Sequence, residues 1–378
     1  MRVDVAVNER PEAAAGRQVF FPASTKGLNP AEITLAEGLR EAGYATACIG
    51  KWHLGDQPFF LPTRQGFDYW FGTPYSNDMN TADCPLPLMR NETLLEQNPD
   101  QSLLTRRYTE EALRFMTAHR SQPFFLYLPY NMVHHPLHAS EPFRGRSGNG
   151  AYGDAVEEVD WSVGRIRSFL RENKIDNETL IIFTSDNGAA RKHGGSNLPL
   201  PGWKGTTAEG GFRVPCLVSW PGHIQKGRVS AELMTAMDWW PTLLNIAGVR
   251  PTRLQIDGEN LSNWLLLGKS PKTERSFFYY QKDQLQAIRR GRWKLYLPLD
   301  SIYQSTHLPG LMAGPVRPRL YDLTHDTGET TDLASAQPLL VKQMLKKADS
   351  ARRELGDRRQ RGKGLRPALV LPAATCLK

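Results

Sequence analysis

The chain has 378 residues, 40% of them hydrophobic and 23% charged, with four cysteines and a formal charge of +8. That composition is globular and excludes a disordered chain, the cysteines are too few for a disulfide scaffold, and no apolar run approaches the ~20 residues of a membrane span. Ten basic and three acidic residues between Lys342 and Arg366 hold +7 of the charge. The body is therefore nearly neutral, which argues against a nucleic-acid-binding face and reads as a solvated basic helix and tail.

Residues 1–28 read as loop. Asn29-Pro-Ala-Glu32 supplies a cap, a first-turn proline and a glutamate able to reach back, so a helix is predicted from there to Gly43. Ala45–Gly50 reads as a short buried strand running into Lys51-Trp-His-Leu-Gly55. The rhythm repeats with a helix at Leu104–His119, an apolar strand at Pro123–Tyr130 followed by His134-His-Pro136, a helix at Ala155–Leu170 and a continuous apolar strand at Leu180–Thr184 ending in Ser185-Asp-Asn-Gly188. Apolar strands alternating with amphipathic helices predict an α/β fold, a mostly parallel sheet flanked by helices. Gly202–Gly211 is a Gly-rich loop carrying Lys204 and leading into a strand at Arg213–Trp220. After a short helical piece at Trp239–Ala247 and a turn-rich stretch to Gly268, short strands near 277–280, 284–289, 292–297 and 319–323 and a helix at Leu339–Leu355 predict a smaller antiparallel α+β domain. The expected division is an α/β catalytic domain over 1–265, the small domain over 266–356, and a loosely ordered basic tail over 357–378.

Ligands of open parallel sheets bind beyond the carboxyl ends of the strands. The strands here deliver Lys51 and His53, His134 or His135, and Asp186 with Asn187 to that edge, and the Gly-rich loop adds Lys204. Taken singly, each has an ordinary structural reading, since Asp-Asn-Gly is a common turn and a lone Lys or His near a strand end is usually solvated. Taken together, lysines to neutralise an oxyanion, histidines to exchange a proton and two oxygen ligands describe an anion site beside a hard cation, Ca²⁺ or Mg²⁺.

The wording of these motifs resembles the sulfatase family, the arylsulfatase-type sulfuric-ester hydrolases of the alkaline-phosphatase-like superfamily. The resemblance is carried by Gly50-Lys-Trp-His-Leu-Gly55 with Pro62-Thr-Arg-Gln-Gly-Phe-Asp68, Pro123–Tyr127 with His134-His-Pro136, Phe183-Thr-Ser-Asp-Asn-Gly188, Lys204–Gly211 and Arg213-Val-Pro215. Further on, Met237–Leu244, Gly291-Arg-Trp-Lys-Leu295 and Leu320-Tyr-Asp-Leu323 continue it in the family's order. The resemblance implies that Asp186 and Asn187 are calcium ligands and that Lys51 and Lys204 bind sulfate oxygens. It also implies that His53 contacts the nucleophile and that His134, two residues before a proline as in the family, donates a proton to the bridging oxygen. Neutral Asn187 speaks against the two-metal phosphatase branch. The implied substrate is a sulfated carbohydrate or aryl ester, with a phosphodiester or phosphonate hydrolase and a non-catalytic anion-binding protein as the competing readings.

Two pieces of the family's site have no counterpart in the sequence. These are the paired aspartates of its first strand and the Cys (or Ser)-x-Pro-Ser-Arg segment whose first residue becomes the formylglycine nucleophile. Cys48 and Cys216 fall in predicted strands, Cys376 in the tail, and Cys84 precedes Pro-Leu-Pro-Leu. The match starts just after that motif's place, with Met1–Val5 resembling the stretch that follows it. The expectation is a chain that begins inside the family's sequence, or a short paralogue, inactive as it stands and related to an exported full-length form.

Overall fold

The computed structural model describes residues 3–4, 19–249, 255–271, 274–303, 311–358 and 360–377. Most of Met1–Val5 thus lies outside the described residues. A five-stranded mixed sheet runs in the order Thr93–Gln97, Pro87–Arg90, Tyr69–Gly72, Ala45–Ile49, Phe124–Tyr127. The last three strands are mutually parallel, and the first two form an antiparallel hairpin at one edge.

Strand alternation sorts the core onto two faces. Ala47 and Ile49 point with Phe71 and Leu88 toward Tyr108, Ala112 and Phe115 of the helix Leu104–His119. Cys48 points the other way, to Trp70, Met89 and Ala36 of the helix Leu35–Glu41. All of these are buried, so each large side chain contributes about 1.5–3 kcal/mol of transfer free energy. The first helix starts later than its sequence suggests, at a capping box in which Thr34 and Glu37 exchange hydrogen bonds. The oxygen of Asn29 accepts from the Ala31 N–H in a turn instead, and its amide reaches the Pro367 carbonyl. The hairpin 87–97 was not foreseen. Its turn places Asn91 at φ +52°, a left-handed position that asparagine tolerates.

The expected strand at 180–184 does form, as Ile181–Thr184, but it pairs antiparallel with Cys216–Ser219 in a separate two-stranded ladder. Phe124–Tyr127 is left at the margin of the main sheet. Apolar side chains of the kind that fill a doubly covered sheet lie open there, with Tyr127 45%, Phe183 38% and Leu217 66% exposed. Amides of Ile181–Thr184 are therefore expected to exchange with deuterium well before those of Ala45–Ile49, as read by mass spectrometry. Equal protection would contradict the isolation of the ladder.

A second, four-stranded antiparallel sheet runs Ser276–Gln281, Gln284–Arg290, Trp293–Tyr296, Arg319–Asp322. The helix Pro338–Leu355 covers it, packing Val341, Met344, Ala348 and Ala351 on Leu285, Ile288, Leu295 and Leu320. The tail is not loose. Arg366 pairs with Glu32, Leu369–Val370 adds a strand to Lys26–Gly27, Gln57 brackets Thr375, and Cys376 forms a disulfide with Cys84. Its apolar and hydrogen-bonding residues find partners on the body, an outcome that the charge count alone concealed.

Candidate functional site

The site grows from a crowded crossing of backbones at the ends of the three parallel strands. Gly50 sits at φ +131°, and a Cβ there would lie 2.0 Å from the Pro129 carbonyl oxygen. A Cβ on Gly72 would lie 1.8 Å from the Gly50 oxygen. Only glycines allow this approach, which is tied by Gly50 N–H to Phe71 O, Thr73 N–H to Gly50 O and Lys51 N–H to Pro129 O at 2.8–3.2 Å. The chain then turns through His53 at φ +60°, a costly conformation for a residue with a side chain, held by its N–H to Pro74 O at 3.0 Å.

From that crossing the side chains converge. Burial lowers the Lys51 pKa, with Asp186 and Asp78 pulling it up and Lys204 pushing it further down. His53 is brought down to about 4 by burial and by Lys51, against the support of its ring Nε2–H, which donates to Phe20 O at 3.1 Å. His134 also falls to about 4, through burial, Lys204 and Lys51, while its Nδ1–H donates to the His135 carbonyl at 2.7 Å. The charges of Asp186 and Lys204 reach Lys51, those of Lys51 and His134 reach His53, and those of Lys204 and Lys51 reach His134, so the five side chains share one neighbourhood.

Two loops are zipped together to achieve this. Gly188 N–H donates to Gly211 O, and Lys204 N–H to Ala189 O. Asn197 clamps the same turn, accepting from Ala189 N–H at 2.7 Å and donating to the Ala189 and Gly202 carbonyls at 3.1 Å. Arg191 stacks on Trp203 with its guanidinium 4.6 Å from the ring centroid. His193 stacks on His135 at 4.3 Å.

His53 couples folding to protonation. Its ordinary pKa is near 6.5, so between pH 6.5 and 4 the unfolded chain binds a proton that the folded chain refuses. The stability it contributes is complete above 6.5 and is lost as the pH falls toward 4. Urea midpoints are expected to drop across that window and to drop less in His53→Gln, whereas identical slopes would exclude His53 as a source.

Asp186 is exposed and Asn187 half-buried; the Asn187 amide Nδ2 donates to Gly188 O, which leaves its oxygen as the ligand atom. Calcium takes six to eight oxygens, and these two side chains do not complete such a shell. Among the described residues, a three-member gathering of potential ligands stands at Asp78, His134 and His135. Asp78, whose carboxylate stands 3.9 Å from His134 Nδ1 and 3.7 Å from His135 Nε2, escaped sequence reasoning. The signal was there: like the other site residues, it lies in a polar loop just beyond a strand, Tyr69–Gly72.

The family model described as Sulfatase matches residues 6–249, and one described as N-sulphoglucosamine sulphohydrolase, C-terminal, matches 204–353. N-acetylgalactosamine-6-sulfatase of Mus musculus is 41% identical over 304 residues, covering 75% of this chain and 58% of its own length. The chain thus spans somewhat over half of that relative. Arylsulfatase A of Bos taurus is 36% identical over 352 residues, covering 83% and 69% of the two chains. Among solved structures, Ps i-CgsB in complex with k-i-k-neocarrahexaose superposes with a TM-score of 0.75 at 27% identity, over 88% of this chain and 77% of that one.

Proposed function

This chain belongs to the sulfatase family, and we propose that Lys51, His53, His134 and Lys204 bind the sulfate group of a sulfated carbohydrate and serve the hydrolysis of its ester. The observation that carries this reading is the mutual electrostatic influence of two lysines and two neutral histidines at one spot in a nearly neutral body. The lysines offset the negative charge of the sulfate. His134 is neutral in the free chain, and its Nδ1–H is committed to a carbonyl, so Nε2 is bare. A bound anion favours the imidazolium, which raises the fraction of His134 able to give a proton to the leaving oxygen. Sulfated sugars are favoured over other esters by the named relatives, an N-acetylgalactosamine-6-sulfatase and a structure bound to a carrageenan-type oligosaccharide.

Asp186 and Asn187 are this chain's contribution to a calcium site, which needs at least four further oxygens. When bound, calcium would supply positive charge beside the sulfate. Attack on sulfur requires a nucleophile of the Cys/Ser-x-Pro-Ser-Arg type, which the 378 residues do not contain.

Calorimetry with a 6-sulfated hexosamine and its unsulfated parent tests the binding half. Saturable binding of the sulfated sugar alone is expected, weakened about ten- to a hundredfold in Lys51→Ala and in Lys204→Ala, the value of a charged hydrogen bond of ~1.5–3 kcal/mol. Wild-type affinity in both variants would remove the proposal. The chain by itself is expected to give no turnover of an aryl sulfate, and steady release of the phenol would overturn that. A phosphodiester cleaved in its place would favour the neighbouring hydrolase branch.

A further inference from the structure

We infer that Arg191 and Lys192 form a second anion subsite at the rim of the sulfate site, which takes a further charged oxygen group of the sugar, a second sulfate or a uronate carboxylate. The inference rests on the reading of Lys51, His53, His134 and Lys204 as the sulfate-binding groups, and it narrows the substrate to a sugar carrying at least two negative charges. The segment from Asn187 to Ala208 contains Arg191, Lys192 and Lys204 and no acidic residue. Arg191 and Lys192 are both exposed, and among the described residues no carboxylate pairs with either. In a nearly neutral body this is a local surplus of positive charge, and it stands beside a site for an anion.

The loop that carries the two cations is pinned to both walls of the sulfate site. On one side Arg191 lies over Trp203, the residue before Lys204, and the Lys204 N–H donates to the carbonyl of Ala189, two residues before Arg191. On the other side His193 stacks within 6° of parallel on His135, the neighbour of His134. Lys192 is held between those two contacts. The far end of the loop is tied as well, because Asn149 Nδ2 donates to Gly194 O at 3.1 Å. A Cβ on Gly194 would lie 2.7 Å from the Tyr152 Cβ, so glycine is what lets the loop lie this close to the helix Gly150–Glu172. A guanidinium resting on an indole face keeps its N–H groups in plane and directed outward, and among the described residues those of Arg191 have no hydrogen-bond partner. The fork is therefore free to grip a sulfate or carboxylate with two parallel bonds. Stacking also orders it before the ligand arrives, which lowers the cost of binding.

Calorimetry on the full chain compares three probes: a 6-sulfated N-acetylhexosamine, its 4,6-disulfated counterpart, and a disaccharide joining the 6-sulfated unit to a uronic acid. At least one of the two dianionic sugars is expected to bind about tenfold more tightly than the monosulfated one, by an advantage that shrinks with added salt. The probe that gains tells whether the second group is a sulfate or a carboxylate. Arg191→Gln and Lys192→Gln should each bring the ratio of dianionic to monosulfated affinity close to one, and Arg191→Lys, which keeps the charge but not the fork, should restore part of it. Lys192→Gln leaves the contact between Arg191 and Trp203 in place, so a fallen ratio in that variant cannot come from a disturbed Lys204 loop. Equal affinity for all three sugars, or a wild-type ratio in both glutamine variants, would overturn the subsite. If no sulfated sugar binds, the sulfate reading and the subsite fall together. If the monosulfated sugar binds and is weakened by Lys51→Ala while a second charge adds nothing, the subsite alone falls.

Discussion

Replacing Lys294 with alanine is expected to cost about 3–5 kcal/mol of stability, the penalty for stranding buried charge. Lys294 is wholly buried, with its ammonium 3.0 Å from Glu209 and 2.6 Å from Glu329. It sits over the rings of Tyr279 at 4.2 Å and Tyr296 at 5.1 Å, whose hydroxyls donate to Glu209 and Glu329 respectively, each at 2.7 Å. Burial pushes the Glu209 carboxyl up, but Lys294, Tyr279 and Arg289 prevail and hold it below the usual carboxylate range. Without the lysine, two carboxylates remain in an apolar setting. Glu209 begins the short helix Glu209–Phe212, five residues after Lys204, so the cluster also anchors the loop that presents Lys204. Urea denaturation should show the loss, and sulfated-sugar affinity should fall in the same variant at temperatures where it is still folded. A loss under 1 kcal/mol would mean that the buried charges are not coupled as drawn.

The second large effect is expected at Gly50. Alanine there must adopt a backbone conformation closed to side chains and must drive its Cβ into the Pro129 carbonyl, an obstacle that cannot rotate away. Strain and clash together predict a loss of about 2–4 kcal/mol, with sulfated-sugar binding abolished because Lys51 and His53 follow directly in the chain. A variant with wild-type midpoint and affinity would show that the crossing of the three strand ends does not set the site. Gly43, at φ +84° with open space around it, is the proper comparison: alanine there meets no atom and should cost far less.

The features legible in the sequence are those written in contiguous words. Gly50-Lys-Trp-His, Ser185-Asp-Asn-Gly and Lys204–Gly211 each combine a backbone requirement with a charged side chain, and their places at strand ends follow from local periodicity. The antiparallel sheet from Ser276 was legible for the same reason, since its strands are neighbours in sequence. What escaped depends on distant partners. Asp78 acquires meaning only when the loop after Tyr69–Gly72 meets the histidines some 56 residues later. The late start of the first helix depends on Asn29 being drawn to Pro367 and Glu32 to Arg366, pairings that local capping preferences do not contain. The isolation of Ile181–Thr184 is likewise invisible to a pattern that reports only that a strand is apolar.

The docked tail sets an order of events during synthesis. Residues 25–32 and 57 find their partners in residues 366–375, with 318 to 346 positions between the paired residues. On a ribosome that polymerises ~5–20 residues per second, the early segment waits many seconds for the strand and ion pair that complete it. Such distant closure also slows folding. The finished clamp therefore reports that translation has passed residue 375, and products stopped short of residue 366 would leave the Lys26–Gly27 edge and Glu32 uncovered for chaperones and proteases to recognise.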